Sequence, residues 1–156
     1  DESLSNYEKG KCFEEFVRFF FRNIDGFSVM NQVLDIGSTD LDVVCINRRQ
    51  DPPFDKLGTY IVVQCKNIKD AVSDQDLMNL EEQARAYGPF CRCAIMATSS
   101  RLSRYARTKL KEINHKGKIF IVPIEHKDWE MLFRSNLSEI DFLIEMINQT
   151  PKKYKV

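Results

Sequence analysis

The chain holds 156 residues, enough for one domain with a sizeable core, and 43% of them are apolar. Lys and Arg number 23 and Asp and Glu also 23, which excludes a uniformly basic nucleic-acid binder and leaves such work to local clusters of cations. No segment approaches the roughly 20 apolar residues of a membrane span.

Ser5 and Glu8 have capping-box spacing and open a first helix, in which Phe13, Phe16, Val17 and Phe20 recur at i, i+3, i+4 and i+7 as one buried stripe. Gly26 closes that element. Phe27 to Asp35 reads as a strand, Ile36-Gly37-Ser38-Thr39 as a turn, and Leu41 to Ile46 as a second strand. Arg48 to Lys56, with Pro52-Pro53, is a loop. Tyr60 to Lys66 is a third strand whose β-branched run lacks alternation, the pattern of a strand buried on both faces.

A helix begins at Ser73 with Leu77, Leu80 and Ala84 on one side, and Gly88-Pro89 closes it. Cys93 to Thr98 is a fourth strand. Leu102, Tyr105, Ala106, Leu110 and Ile113 mark the next helix, and Lys118 to Pro123 a fifth strand. Helices near Lys127–Phe133 and Glu139–Asn148 complete the order αβββαβαβα. Short connections between the early strands imply antiparallel pairing, and helical crossovers imply parallel pairing afterwards. The expected fold is therefore α/β, with a mixed central sheet of about five strands flanked by helices.

The five cysteines, Cys12, Cys45, Cys65, Cys91 and Cys93, are odd in number and scattered through the elements. They fit small core thiols in a reducing, cytoplasmic compartment better than a disulfide framework. Cys91-Arg-Cys93 is too tightly spaced for a zinc pair, and His115 and His126 lie at no useful distance from it. The opening DESLSNYEKG has neither the basic start nor the apolar core of a secretion signal and lacks an initiator Met. Residues 1–156 are thus expected to form a single domain of a longer protein.

Three strand residues carry chemistry. Gln64 and Lys66 stand two apart and project from one face of the third strand, and a Lys ending the run Tyr-Ile-Val-Val needs a partner. The preceding strand supplies Asp42, with Asp40 near it. One reading is a divalent-cation site for phosphodiester cleavage, because Mg²⁺ takes about six oxygen ligands. Asp42, the Gln64 side-chain oxygen and the Cys65 main-chain carbonyl would then be ligands, with Lys66 orienting water and offsetting charge on the phosphorane. The other reading is a Lys66–Asp42 cross-strand ion pair beside an ordinary Gln64. On the first helix Glu14 borders the apolar stripe while Glu15 points to solvent; Glu14 can reach the sheet edge, or form an i, i+4 pair with Arg18.

Phe13-Glu14, Gly37-Ser-Thr-Asp-Leu-Asp42 and Val63-Gln-Cys-Lys66 together resemble the Mrr-like branch of the PD-(D/E)xK restriction-endonuclease superfamily. The likeness continues through Cys93–Thr98, Ser100–Lys111 and Ile119–Phe133, so it runs from about Ser5 to Phe133. It implies a restriction-endonuclease-like fold and a DNA endonuclease using Mg²⁺ or Mn²⁺, the nuclease part of a prokaryotic restriction or antiviral-defence protein. Glu14, Asp42, Gln64 and Lys66 would be its catalytic residues. The match departs at Asp40, where the family usually has Gly; an added carboxylate there could join the metal or displace the turn. The resemblance also implies DNA as partner, a homodimer as one assembly, and a further DNA-recognition or NTPase domain. A Holliday-junction-resolvase-like nuclease and a silent nucleic-acid-binding or assembly module of the same fold are the alternatives.

Arg104, Arg107 and Lys111 share one face of the helix after the fourth strand, Arg101 lies on its rim, and Ser99 and Ser100 are placed at its N-terminus. These could form a phosphate-contacting ridge or a solvated helix face. Lys152-Lys153-Tyr154-Lys155 reads as a basic tail leading toward another domain.

Overall fold

The computed structural model describes residues 6–30 and 43–155. Helix α1 (Asn6–Arg22) leads to strands β1 (Phe27–Val29), β2 (Val43–Asn47) and β3 (Tyr60–Lys66). Then follow α2 (Asp74–Arg85), β4 (Cys93–Thr98), α3 (Arg104–Lys116), β5 (Phe120–Ile124), α4 (His126–Arg134) and α5 (Glu139–Lys153). Ser5, the Ile36–Thr39 turn and the facing ends of the first two expected strands lie outside the described residues.

The five strands lie side by side in chain order. β1 and β2, and β2 and β3, pair antiparallel, whereas β3 and β4, and β4 and β5, pair parallel. Connection chemistry explains the switch. A loop returns the chain directly from β2 to β3, and α2 and α3 carry it back to restart in the same direction. The β2–β3 loop is held by buried Asn47, whose Nδ2 donates to Phe54 O (2.9 Å) and Gly58 O (3.1 Å) while its Oδ1 accepts from Arg49 N (3.0 Å).

The sheet divides two apolar layers. Val62, Ala94, Met96 and Ile121 pack with Leu77, Leu80 and Ala84 of α2 and Ala106, Leu110 and Ile113 of α3. Val43, Ile61, Val63, Ile95 and Val122 pack on the other face with residues of α1, α4 and α5, among them Phe20, Trp129 and Phe142. β3 is the middle strand and is covered on both sides, which accounts for its unalternating sequence. The fold is the expected mixed α/β sheet flanked by helices.

Several boundaries differ from the sequence reading. α3 starts at Arg104 because the Ser103 hydroxyl accepts from Ala106 N and caps it; Leu102 precedes the helix, and Tyr105 is 75% exposed. The fifth strand is shifted to Phe120–Ile124. Gly117 ends α3 in a left-handed conformation, and the Asn114 side chain both donates to and accepts from the Ile121 main chain, satisfying this edge strand. α5 continues through Pro151 to Lys153, so the first half of the basic tail, Lys152 and Lys153, is helical, and Tyr154 folds back against the core. The thiols are not uniformly core residues. Cys45, Cys91 and Cys93 are buried, Cys65 is half-buried, and Cys12 is exposed because it lies off the apolar stripe of α1.

Burial pushes the Cys45 thiol up to about 12 and raises those of Cys93 and Cys91 as well. Titration with a thiol reagent in native buffer should therefore modify Cys12 quickly and Cys65 slowly. The other three should react only after unfolding; rapid reaction of all five would contradict this core.

Candidate active site

Parallel pairing brings the C-terminal ends of β3, β4 and β5 to one edge of the sheet, through Lys66↔Thr98 and Ala97↔Ile124. Antiparallel pairing brings the N-terminal end of β2 to the same edge, through Val43↔Val63. Gln64 and Lys66 share the face on which α2 packs. Gln64 is only 4% exposed, and the Lys66 ammonium reaches across to Asp76 of α2, with Nζ 3.6 Å from Oδ1. Asp76 also anchors its own helix. Its Oδ2 accepts from Ser73 N while Ser73 Oγ accepts from Asp76 N, a reciprocal cap that fixes the start of α2. The cation at the end of an apolar strand is thus held by a carboxylate that its own helix holds in place.

The backbone around Lys66 is tied to β4. Thr98, fully buried, donates its hydroxyl to Lys66 O (2.8 Å) and accepts from Ser100 N (3.0 Å), while Ser99 N also donates to Lys66 O (3.1 Å). The Ser99 hydroxyl is 2.6 Å from Asn67 Oδ1. Such a network fixes the direction of Lys66 without using its ammonium.

Asp42 and Asp40 lie outside the described residues; Asp42 directly precedes Val43, whose partner Val63 directly precedes Gln64. Among the described residues no three His, Cys, Asp or Glu side chains group as metal ligands. Glu14 stands on α1, which packs on the other face of the sheet, and its carboxylate takes Arg18 at 3.1 Å. Arg18 also donates to Met30 O (3.3 Å). The i, i+4 pair is therefore present, and no hydrogen bond or ion pair joins Glu14 to Lys66 among the described residues. Cys65 points toward the α1 side, as its alternation with Gln64 requires.

Ser99 and Ser100 do not stand at the N-terminus of α3. Their main-chain N–H groups are engaged by Lys66 O and Thr98 Oγ1, and Ser100 is buried. Arg101 lies in the segment before the helix, with Arg104 and Arg107 exposed on it and Lys111 half-buried.

Two further residues at this edge escaped the sequence reading. Asp76 was detectable as the fourth residue of a Ser-x-x-Asp start. Glu125 follows an apolar strand as Lys66 does, and is 3% exposed. Its Oε2 accepts from Leu102 N (2.8 Å) and lies 4.0 Å from Arg107, and its Oε1 accepts from Tyr154 OH (3.4 Å). Nearby, burial raises the Asp128 carboxyl above its ordinary range, against the hydrogen bond from Glu125 N and the charge of Lys153, which act the other way.

An α/β sheet of this topology, with a polar edge ending in Gln-x-Lys, defines a restriction-endonuclease-like domain. The family model Mrr_cat, described as a restriction endonuclease, matches residues 6–128, and the chain belongs to that family. In structure it is similar to "MspJI Restriction Endonuclease in Complex with 27-mer Oligonucleotide", with a TM-score of 0.55 and 17% identity. That likeness covers 95% of this chain and 33% of the other, so the chain spans about a third of the protein it resembles. No curated protein sequence matches the chain.

A double-mutant cycle on Lys66→Ala and Asp76→Ala, read by urea denaturation, should give a coupling of about 0.2–1 kcal/mol. Ser73→Ala should cost about 1 kcal/mol through the cap alone. Zero coupling in the cycle would show that Asp76 serves only the helix start.

Proposed function

We propose that the protein hydrolyses DNA phosphodiester bonds as a Mg²⁺- or Mn²⁺-dependent endonuclease, the nuclease part of a cytoplasmic restriction or defence protein with further domains. The observation that carries this reading is Lys66. An ammonium ends a strand buried on both faces, beside a buried amide on the same face, in a chain whose family is that of restriction endonucleases.

Asp42, the side-chain oxygen of Gln64 and the main-chain carbonyl of Cys65 would hold the ion, with Asp40 as a further carboxylate. An all-oxygen donor set of this kind suits a hard divalent cation and not a thiophilic one. When bound, the ion supplies Lewis-acid polarisation of the phosphate and acidifies the attacking water. Lys66 has three N–H donors and no acceptor, so as an ammonium it orients that water and stabilises negative charge gathering on the phosphorane. Asp76 keeps its stem aligned. Glu14, the helix carboxylate of the resemblance, is held by Arg18 and would have to leave it to reach the ion. Gln in place of a second acid lowers the charge of the ligand set by one while keeping an oxygen. No helix among the described residues is long and apolar enough to cross a membrane.

Supercoiled plasmid incubated with Mg²⁺ or Mn²⁺ should be nicked, and EDTA should stop it. Asp42→Ala and Lys66→Ala should each lower the rate by about 10²–10³-fold or more. Glu14→Ala should lower it less. Nicking that survives Lys66→Ala, or DNA binding without any metal-dependent nicking, would overturn the proposal. A preference for four-way junctions over linear duplex would instead favour a resolvase-like substrate.

A further inference from the structure

Beside Lys66 the same sheet edge opens into a cleft of about 590 Å³ that reaches past β4 to the segment after β5. Its walls are the chain segments that follow β3, β4 and β5, and main-chain hydrogen bonds lock them to one another. Val72 N donates to Arg101 O (2.7 Å), Ser103 N to Val72 O (2.9 Å) and His126 N to Ser100 O (2.9 Å). The cleft is therefore preformed.

Its lining is cationic. Lys69 comes from the segment after β3, Arg101 from that after β4, Arg107 from α3, and His126 and Lys127 from the start of α4. The one lining carboxylate among the described residues, Glu125, is buried and already accepts from Leu102 N and Tyr154 OH, with Arg107 facing it. Lys69, Arg101 and Lys127 form no ion pair among the described residues, although Arg18, Arg49, Lys66, Arg85, Lys109 and Lys153 all do. An exposed Lys is ordinary by itself. Three cations outside any ion pair, from three separate segments, converge on a concave wall in a chain of zero net charge and create a local positive field that attracts anions. The cleft falls within the roughly 300–1,000 Å³ range of ligand pockets, room for sugar-phosphate units of one strand and not for a duplex.

We propose that this cleft is a phosphate-binding subsite that holds the cut DNA strand on one side of the scissile phosphate, with Lys69, Arg101 and Lys127 contacting successive phosphates. It rests on the nuclease reading for the identity of its ligand. It also replaces the helix ridge: Arg101 and Arg107 belong to the cleft, whereas Arg104 and Lys111 do not line it.

The test is the salt dependence of binding to a short fluorescent DNA duplex, measured in EDTA so that affinity is read apart from cleavage. Lys69→Ala, Arg101→Ala and Lys127→Ala should each weaken binding several-fold and reduce the slope of log K against log salt by about 0.7–0.9. Arg22→Ala and Lys118→Ala, cations away from the cleft, should leave the slope unchanged. Unchanged slopes for the three cleft variants overturn the proposal, as do slopes that fall only for Arg104→Ala and Lys111→Ala. If the cleft slopes hold steady while Lys66→Ala abolishes nicking, the subsite is wrong and the nuclease reading stands. If they fall as expected and no metal-dependent nicking occurs, the subsite stands and the nuclease reading fails.

Discussion

β3 pairs with β2 running one way and with β4 running the other, and that single mismatch of direction organises the molecule. An antiparallel neighbour contributes the start of its strand to the edge where β3 ends, and a parallel neighbour contributes its finish. The N-terminal end of β2 and the segments after β3, β4 and β5 therefore lie at the same edge of the sheet. Because both crossover helices pack on one face, the opposite face is left to α1, α4 and α5, and the sheet is enclosed. Polar chemistry is then confined to the rim, where strands stop and the helical layers part.

At that rim the groups around Lys66 and Glu125 are matched, while the cleft cations Lys69, Arg101 and Lys127 take no ion pair among the described residues. Lys66 has Asp76, and its carbonyl takes both Thr98 and Ser99. Glu125 takes a main-chain N–H, a phenol and a guanidinium. Each is a group that costs free energy to bury alone and costs much less once bonded. The C-terminal segment joins this arrangement: Tyr154, just past α5, donates to Glu125, and Lys153 lies 3.8 Å from Asp128. Preorganisation of this kind is what a nuclease needs, because the gain in rate comes from donors fixed before charge develops.

Much of this was legible in the residues. The unalternating run Tyr60–Lys66 identified the central strand, and Gly and Pro punctuation separated the two crossovers. Periodicity identified Leu77, Leu80 and Ala84, and Ala106, Leu110 and Ile113, as buried faces. Tyr105 was misassigned because an aromatic residue beside an apolar stripe satisfies the same spacing without being buried. The start of α3 and the length of α5 were missed for local reasons. Ser103 competes with Ser99 and Ser100 as a cap, and Pro151 looks like a stop signal although its ring is accommodated in the last turn.

The site was legible as a set of residue types and not as a set of partners. Gln64 and Lys66 were found because two-residue spacing puts them on one face of a strand whatever follows. Asp76 and Glu125 were not, since their roles depend on which helix start and which strand end the topology brings beside them. Glu14 was correctly placed at the border of its stripe, and both of its readings fit that position; the structure puts it with Arg18. Asp42 and Asp40 lie outside the described residues, and their assignment rests on sequence and resemblance.

The proposed mechanism depends on one divalent cation shared by Asp42 and the end of β3. Manganese titration followed by loss of the free-ion electron paramagnetic resonance signal tests this without relying on cleavage. A shared ion predicts a saturable site that disappears in Asp42→Asn and weakens in Gln64→Leu, with Glu130→Gln unaffected. Equal manganese binding by the unaltered protein and all three variants would contradict it.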